Sequence, residues 1–257
     1  MYKELQPFYN VHATYRSSNR DYDSNQKFHQ WDAETESIEF LLKNLKPDII
    51  ISALRGEFNA LIKAHQEIIS YVAHHDSKII FLSSANVYDA FTNFPSYEFD
   101  KTFSYSVFGR FKIQIENAIM RLSEEKFNIL RLPMIFGLNS PRVEELKTLY
   151  SLNEPIEVFP NVVINANTLS KLSQQIHYLI NREFSGIYHL GSTDLIHHSD
   201  LIKEILEKLN LENPKITRVY ESNDDRYLAI LPKVNRLPKH LEITIEEVIK
   251  DSVIFSD

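Results

Sequence analysis

Three uninterrupted apolar runs, PDIIISAL, KIIFLSS and FNILRLPMIFG, do most to narrow the folds open to this chain. A strand with one wet face alternates apolar and polar residues, whereas a strand covered on both faces is apolar throughout. Isoleucine-rich runs of this length therefore predict interior strands of a parallel sheet. NVHATY, which alternates, and the glycine-bounded GIYHLG complete the strand segments. Helical periodicity fills the intervals. TESIEFLLKNL sets Ile38, Leu41, Leu42 and Leu45 on one face, and NALIKAHQEIISYVAHH does the same with Leu61, Ala64, Ile68, Ile69 and Val72. FGRFKIQIENAIMRLSEE does so with Phe108, Phe111, Ile115, Ile119 and Leu122. Strands alternating with helices require right-handed crossovers, which gives an α/β fold with a Rossmann-like, doubly wound parallel sheet.

The pattern changes after Gly137, where short strands and helices mix and Pro141, Pro155 and Pro160 punctuate the chain. Residues 1–137 are expected to form a dinucleotide-binding domain and 138–257 a smaller substrate-binding lobe, with 186–191 returning to the main sheet. Ser199 and Thr244 precede apolar-periodic segments and are expected to cap two helices. A dinucleotide fold opens with a strand, a glycine-rich turn and a helix whose amino end receives the pyrophosphate. Here the first glycine is Gly56, MYKEL reads as the inside of the first helix, and NVHATY reads as the second strand. The first βα unit is thus expected to be missing. Its strand is central in the usual order, so two interior edges would be left bare. A start codon assigned too late and a degenerate cofactor site are both open explanations.

Composition excludes several classes. The 257 residues contain no cysteine, so disulfides, thiolate metal sites and cysteine nucleophiles are ruled out. The ten histidines are scattered, and the pairs His74-His75 and His197-His198 lack a second ligand pair, so no metal is expected. A formal net charge of −7 is the wrong field for a phosphate backbone, which argues against nucleic acid. No signal architecture is present, and no apolar run reaches the roughly 20 residues that span a bilayer, so the reading is a cytoplasmic protein without a membrane partner.

The stretch SYSVFGRFKIQIENA carries the chemistry. Together with VHATYRSS, WDAE, IIFLSSANVYDAF, YEFDK, ILRLPMIFG and GIYHLG, in that order, it resembles the extended short-chain dehydrogenase/reductases, and among them the dTDP-4-dehydrorhamnose reductase-like family of sugar-nucleotide enzymes. The resemblance runs from about Tyr9 to Val253. It implies NADP or NAD as cofactor and a small-molecule sugar nucleotide as partner. It places the family's catalytic hydroxyl on Ser84, with Ser83 beside it, and the lysine that holds the nicotinamide ribose on Lys112. At the position of the proton-donating tyrosine stands Phe108. Arg16 falls where a cation can meet a 2′-phosphate, a surface arginine being the alternative. Asp32 falls where an acid contacts the adenine, and a helix cap explains it equally well. Ala53 and Leu54 line the cofactor groove, Leu54 departing from the family's small residues, and Pro133 meets the carboxamide. Asn86 and Arg142 are candidate sugar-nucleotide contacts, with a turn asparagine and a surface arginine as the plainer readings.

Reduction of a ketone creates an alkoxide, and a phenol beside a lysine can deliver its proton. Phenylalanine has none. Tyr105, roughly one helical turn earlier, and Tyr88, just beyond the Ser83-Ser84 strand, are possible replacements, ordinary aromatic packing being the alternative for both. Lys112 in turn is either a site residue or simply solvated. Two functions follow: an NAD(P)-dependent sugar-nucleotide oxidoreductase with weak or absent reductase activity, or a non-catalytic nucleotide-binding or regulatory protein on the same scaffold. A lyase or epimerase variant is a third. Outward-facing helices leave room for a homodimer.

Overall fold

The computed structural model describes residues 1–17, 22, 24–220 and 222–253. The chain opens with α1 (Tyr2–Leu5), β1 (Ala13–Tyr15), β2 (Phe28–Gln30) and α2 (Glu39–Leu45), then β3 (Ile49–Ser52), α3 (Phe58–His74) and β4 (Lys78–Leu82). It continues through α4 (Val107–Ile119), β5 (Phe127–Arg131), β6 (Met134–Phe136), α5 (Pro141–Ser151), β7 (Ile156–Val158), β8 (Val162–Ile164) and β9 (Ala166–Thr168). It closes with α6 (Leu169–Asn181), β10 (Gly186–His189), β11 (Ile196–His197), α7 (His198–Lys208), β12 (Ile216–Arg218), β13 (Arg226–Leu228) and α8 (Ile245–Val253). Helices and strands are mixed along the chain, as expected for the α/β class. Strand order in the four-stranded sheet is β10-β5-β4-β3, while β1 and β2 form a parallel pair of their own. Among the described residues no helix is long and apolar enough to cross a membrane.

The chain forms two compact units. The first comprises Met1–Leu82, Phe111–Ile129 and His177–Gly186. Its core is the predicted stripe of α3, with Leu61, Ala64, Ile68 and Val72 buried, together with Ile79, Ile80 and Phe81 of β4 and Phe111, Ile115 and Ile119 of α4. Phe58 stacks on Phe111 with ring centroids 4.8 Å apart. The carboxyl end of α3 is closed by Lys126, whose Nζ donates to Val72 O at 2.8 Å and His75 O at 2.9 Å, satisfying carbonyls that a helix end leaves open.

The second unit comprises Ser83–Arg110, Leu130–Ile176 and Ile187–Asp257. Its core gathers Val143 and Leu146 of α5, Ile156, Val158 and Ile164 of β7 and β8, Leu201 and Ile205 of α7, and Val248 and Ile249 of α8. Thr244 is the expected cap. Its Oγ1 accepts from Glu247 N at 3.3 Å while a Glu247 carboxylate oxygen accepts from Thr244 N at 2.8 Å, a reciprocal capping box.

Several expectations are corrected. Ser199 is not a cap: α7 already begins at His198, because the extended β11, paired antiparallel with β8, runs directly into it. Nor does Asp32 cap α2. It accepts from Glu34 N at 3.0 Å in a local turn, and α2 starts only at Glu39. Glu67 of α3 sets that start, accepting from Ile38 N and Ser37 Oγ, each at 2.9 Å. FNILRLPMIFG is two strands, because Pro133 has no N–H to donate; β6 pairs in parallel with β9, Met134 opposite Ala166. Finally, β3 carries three successive isoleucines, yet Ile49, Ile50 and Ile51 stay half-buried, because β3 is the end strand of its sheet.

Candidate functional site

A cavity of about 180 Å³ opens in the first unit at the carboxyl ends of β1, β2 and β3 and the amino end of α3. Carboxyl ends of strands are where ligands of open α/β sheets bind. Of the residues singled out in the sequence, Arg16, Asp32, Ala53 and Leu54 all line it. Arg16 follows β1, and its guanidinium is held between two carboxylates, with Nε 3.1 Å from Asp32 Oδ2 and a terminal nitrogen 2.9 Å from Glu34 Oε1. The Glu34 hydrogen bond and the Asp32 charge raise the guanidinium pKa further. It is therefore not an isolated surface arginine. Gly56 lies at φ +149°, a conformation side chains rarely adopt, and a Cβ there would face Glu34 Oε1 at 3.7 Å. At the amino end of α3 the Glu57 carboxylate accepts from Ala60 N at 2.8 Å.

Trp31 also lines this cavity, and sequence reasoning passed over it in favour of its neighbour Asp32. Its side chain is buried, at 4% exposure, yet its indole N–H has no hydrogen-bond partner among the described residues. A buried polar group left unpaired is uncommon and calls for an explanation such as an absent ligand. The signal available in the sequence was the chain's single tryptophan directly beside a candidate acid.

Lys112 is also in the first unit, and it is not solvated. It is 8% exposed, and its Nζ donates to Leu82 O, the last carbonyl of β4, at 2.8 Å. The ammonium lies 4.6 Å from the centre of the Phe81 ring. Burial lowers its pKa to about 8, with Glu116 opposing the shift and Arg55 adding to it.

Ser83, Ser84, Asn86, Tyr105, Phe108, Pro133 and Arg142 belong to the second unit. Ser84 and Asn86 are brought together. Ser84 Oγ donates to Asn86 Oδ1 at 2.9 Å and accepts from Asn86 N at 3.2 Å, capping the short 3₁₀ turn Ala85–Tyr88. Ser83 is buried and its N–H donates to Leu130 O at 2.8 Å. Pro133 is half-buried between β5 and β6. Arg142 is exposed in the first turn of α5, 6.0 Å from the Phe136 ring.

Phe108 is 41% exposed, a departure from the buried stripe expected of it. It lies four residues before Lys112 on α4, the spacing that puts two side chains on one helix face. The start of α4 is tightly built. Ser106 Oγ accepts from Gly109 N at 3.0 Å, Asp89 accepts from Ser104 Oγ and Tyr105 N, and a Cβ at Gly109 would overlap Ser104 Oγ and Asn86 O. Because the helix begins at Val107, Tyr105 precedes it rather than sitting one turn up. Its ring is 72% exposed and packs edge-on against Phe103.

Tyr88 is committed elsewhere. It is buried, its hydroxyl donates to Tyr97 O at 2.7 Å and accepts from Arg131. Arg131 also donates to Glu98 O at 2.7 Å, and the Glu98 carboxylate accepts from the backbone amides of Lys233, Val234 and Asn235 at 2.9 to 3.2 Å. His189 completes this knot, its Nδ1 3.1 Å from Leu231 O and its pKa lowered to about 4 by burial and by Arg131. None of this was visible in sequence, because its members come from segments far apart in the chain. Among the described residues no three His, Asp or Glu side chains gather as a metal site.

The fold has solved counterparts. The chain is similar to a dTDP-4-dehydrorhamnose reductase of Clostridium acetobutylicum, with a TM-score of 0.73 and 15% identity over 95% of this chain and 98% of that one. It is similar to a Bacillus anthracis dTDP-4-dehydrorhamnose reductase solved with NADP, with a TM-score of 0.73 and 16% identity over 94% and 97% of the two chains. It also resembles a Bacillus anthracis dTDP-glucose 4,6-dehydratase solved with NAD, with a TM-score of 0.73 and 13% identity over 91% and 81%. No curated protein matches the sequence. The family model described as RmlD substrate binding domain matches residues 9–233. Matched over most of its length by that model, the chain belongs to the RmlD substrate binding domain family.

Proposed function

We propose that this protein binds a nicotinamide dinucleotide and a sugar nucleotide, and reduces the keto group of that sugar weakly or not at all. The dinucleotide reading is supported by the cavity of the first unit. Ala53, Leu54 and Leu61 offer apolar walls, Asp32 offers acceptors to an adenine, and Trp31 holds a buried N–H that is unpaired among the described residues. Such polar groups set in an apolar cleft suit the nucleoside half of a dinucleotide. The neighbours solved with NADP and NAD are consistent with a cofactor of either kind.

The dinucleotide would supply the hydride; the chain must supply a proton to the carbonyl oxygen. The observation that carries the functional reading is Phe108, one helical turn before a buried Lys112 and without an O–H to give. Loss of a general acid typically costs about 10²–10⁴ in rate. Ser84 could polarise the oxygen only by giving up its hydrogen bond to Asn86 Oδ1, and a serine hydroxyl holds its proton too tightly to take the place of a phenol. The second reading, a non-catalytic nucleotide-binding or regulatory protein, is favoured by the fates of the other tyrosines, Tyr88 being bound to Arg131 and Tyr97 and Tyr105 lying outside α4.

Trp31 makes the binding test simple, because it is the only tryptophan. Addition of NADH or NADPH is expected to quench its fluorescence saturably, with a matching calorimetric isotherm. No change with either dinucleotide would contradict the reading. Binding without turnover of any keto-sugar nucleotide would favour the non-catalytic alternative.

A further inference from the structure

We infer that the bare edge of β12 pairs with the same edge of a second copy of this chain, antiparallel and across a two-fold axis at Thr217. The inference concerns a surface of the second unit and does not depend on the dinucleotide reading.

β12 and β7 form a parallel sheet of two strands, with Thr217 opposite Glu157. Ile156 and Val158 of β7 are buried, whereas all three residues of β12 are exposed. Ile156 N donates to Lys215 O and Val219 N donates to Val158 O, each at 2.8 Å. Alternate residues of a strand turn their backbone groups to the same side. Lys215, Thr217 and Val219 therefore face β7, and Ile216 and Arg218 turn both N–H and C=O the other way. Among the described residues no strand meets them there. The segment is tied at both ends, Tyr150 Oη donating to Glu212 O at 3.1 Å and Asn161 Nδ2 to Ser222 O at 2.8 Å. An exposed edge held extended in this way is a template for a further strand. Apolar side chains stand along it, Ile216 being 41% and Tyr220 59% exposed.

The edge is complementary to itself in one register. Antiparallel pairing about Thr217 sets Ile216 opposite Arg218 of the second copy, and residues so placed exchange both their backbone hydrogen bonds. Thr217 then meets Thr217, a favourable cross-strand pair, and Tyr220 N meets the carbonyl of Pro214, which needs only to accept. Moving the axis to Arg218 would set two guanidinium groups directly opposite each other, which is destabilising. Moving it to Ile216 would set Arg218 opposite Pro214, which has no N–H to return. Arg218 thus guards the edge against the neighbouring alignments. The match is isologous, each half supplying what the other needs, so the occupant is a second copy. A strand this short makes a reversible dimer and not a permanent one.

The chain has no cysteine, so a single introduced thiol can pair only with its own copy. In the inferred dimer the two Thr217 Cα atoms lie about 4.5 Å apart, within the span of a disulfide, and the two Val219 Cα atoms about 14 Å apart, outside it. Thr217→Cys is expected to give a covalent dimer on mild oxidation, followed by non-reducing electrophoresis and intact mass, at least tenfold faster than Val219→Cys. Equal rates overturn the inference. Sedimentation equilibrium over a concentration series should show the wild type in reversible monomer–dimer exchange. Arg218→Pro removes an outward N–H and leaves the ladder to β7 untouched, so it should weaken the dimer about tenfold or more. A wild type that stays monomeric throughout overturns the inference, as does a dimer that Arg218→Pro leaves intact. Thermal unfolding of Arg218→Pro within a few degrees of wild type separates a lost edge from a lost fold. Should Arg218→Pro not fold, the two cysteine variants still decide.

Discussion

The ammonium of Lys112 donates a 2.8 Å hydrogen bond to the carbonyl oxygen of Leu82, where β4 ends and the Ser83-Ser84 segment begins. The backbone at that strand end and the lysine of α4 are thus fastened to each other. Taking this cation out of water is costly, which is why its pKa falls to about 8 against the pull of Glu116.

That shift has a signed consequence. In the unfolded chain a lysine keeps its proton to about pH 10.4, whereas folded Lys112 releases it near 8. Between those values unfolding takes up a proton, so stability contributed here rises with pH, by on the order of 3 kcal/mol in all. Below pH 8 both states are protonated and this slope vanishes. Urea denaturation of wild type and Lys112→Met from pH 7 to 10 should show the wild type gaining on the variant. Parallel profiles would show that Lys112 is not buried as a cation.

Three buried histidines make the opposite limb. Burial is the leading cause that lowers His65, His189 and His198 each to about 4. His65 sits between Ser52 Oγ at 2.8 Å and Leu61 O at 2.6 Å with Lys112 nearby, His189 beside Arg131 and Glu98, and His198 near Arg142. Since an unfolded histidine protonates near 6.5, folding stability is held above that pH and lost as pH falls toward 4. Near pH 5 unfolding should take up about three protons from solvent onto these rings, a slope of roughly 4 kcal/mol per pH unit. A flat stability profile from pH 7 to 4.5 would contradict their burial as neutral rings.

Gly109 offers a test in which two effects have opposite signs. In a helix, alanine is favoured over glycine by about 1 kcal/mol. Here a Cβ would strike Asn86 O, a backbone atom, and Ser104 Oγ. Overpacking of this kind costs about 1–3 kcal/mol, so Gly109→Ala should lower the unfolding free energy despite its better propensity. A stabilised variant would show that the first turn of α4 is not closed against the Ala85–Tyr88 turn.

What the sequence revealed follows from the range of the interactions involved. The stripe of α3 and the interior strand β4 were legible because periodicity reports burial locally. The cap at Thr244 was legible from the preference for threonine at helix starts, while the reciprocal bond from Glu247 was not read. The start of α2 was not, since Glu67 fixes it from another element, and neither was the exposure of β3, which depends on which strands lie beside it. In the site, Arg16, Asp32, Ala53 and Leu54 were found as residue types, and the cavity gathers them. The clamp on Arg16 needed Glu34, whose role appears only when β1 and β2 are paired. Tyr88 illustrates the reverse case, a plausible proton donor in sequence whose hydroxyl is already bound to Tyr97 and Arg131.

The central claim of the proposed function is that Phe108, which has no O–H, leaves this chain without the proton donor a reductase needs. Its most direct test is oxidation of NADH or NADPH by a 4-keto sugar nucleotide, followed at 25 °C with wild type and Phe108→Tyr side by side. The account predicts little or no turnover by the wild type and a gain of about 10²-fold or more in the tyrosine variant. Brisk wild-type turnover that the tyrosine leaves unchanged would contradict it.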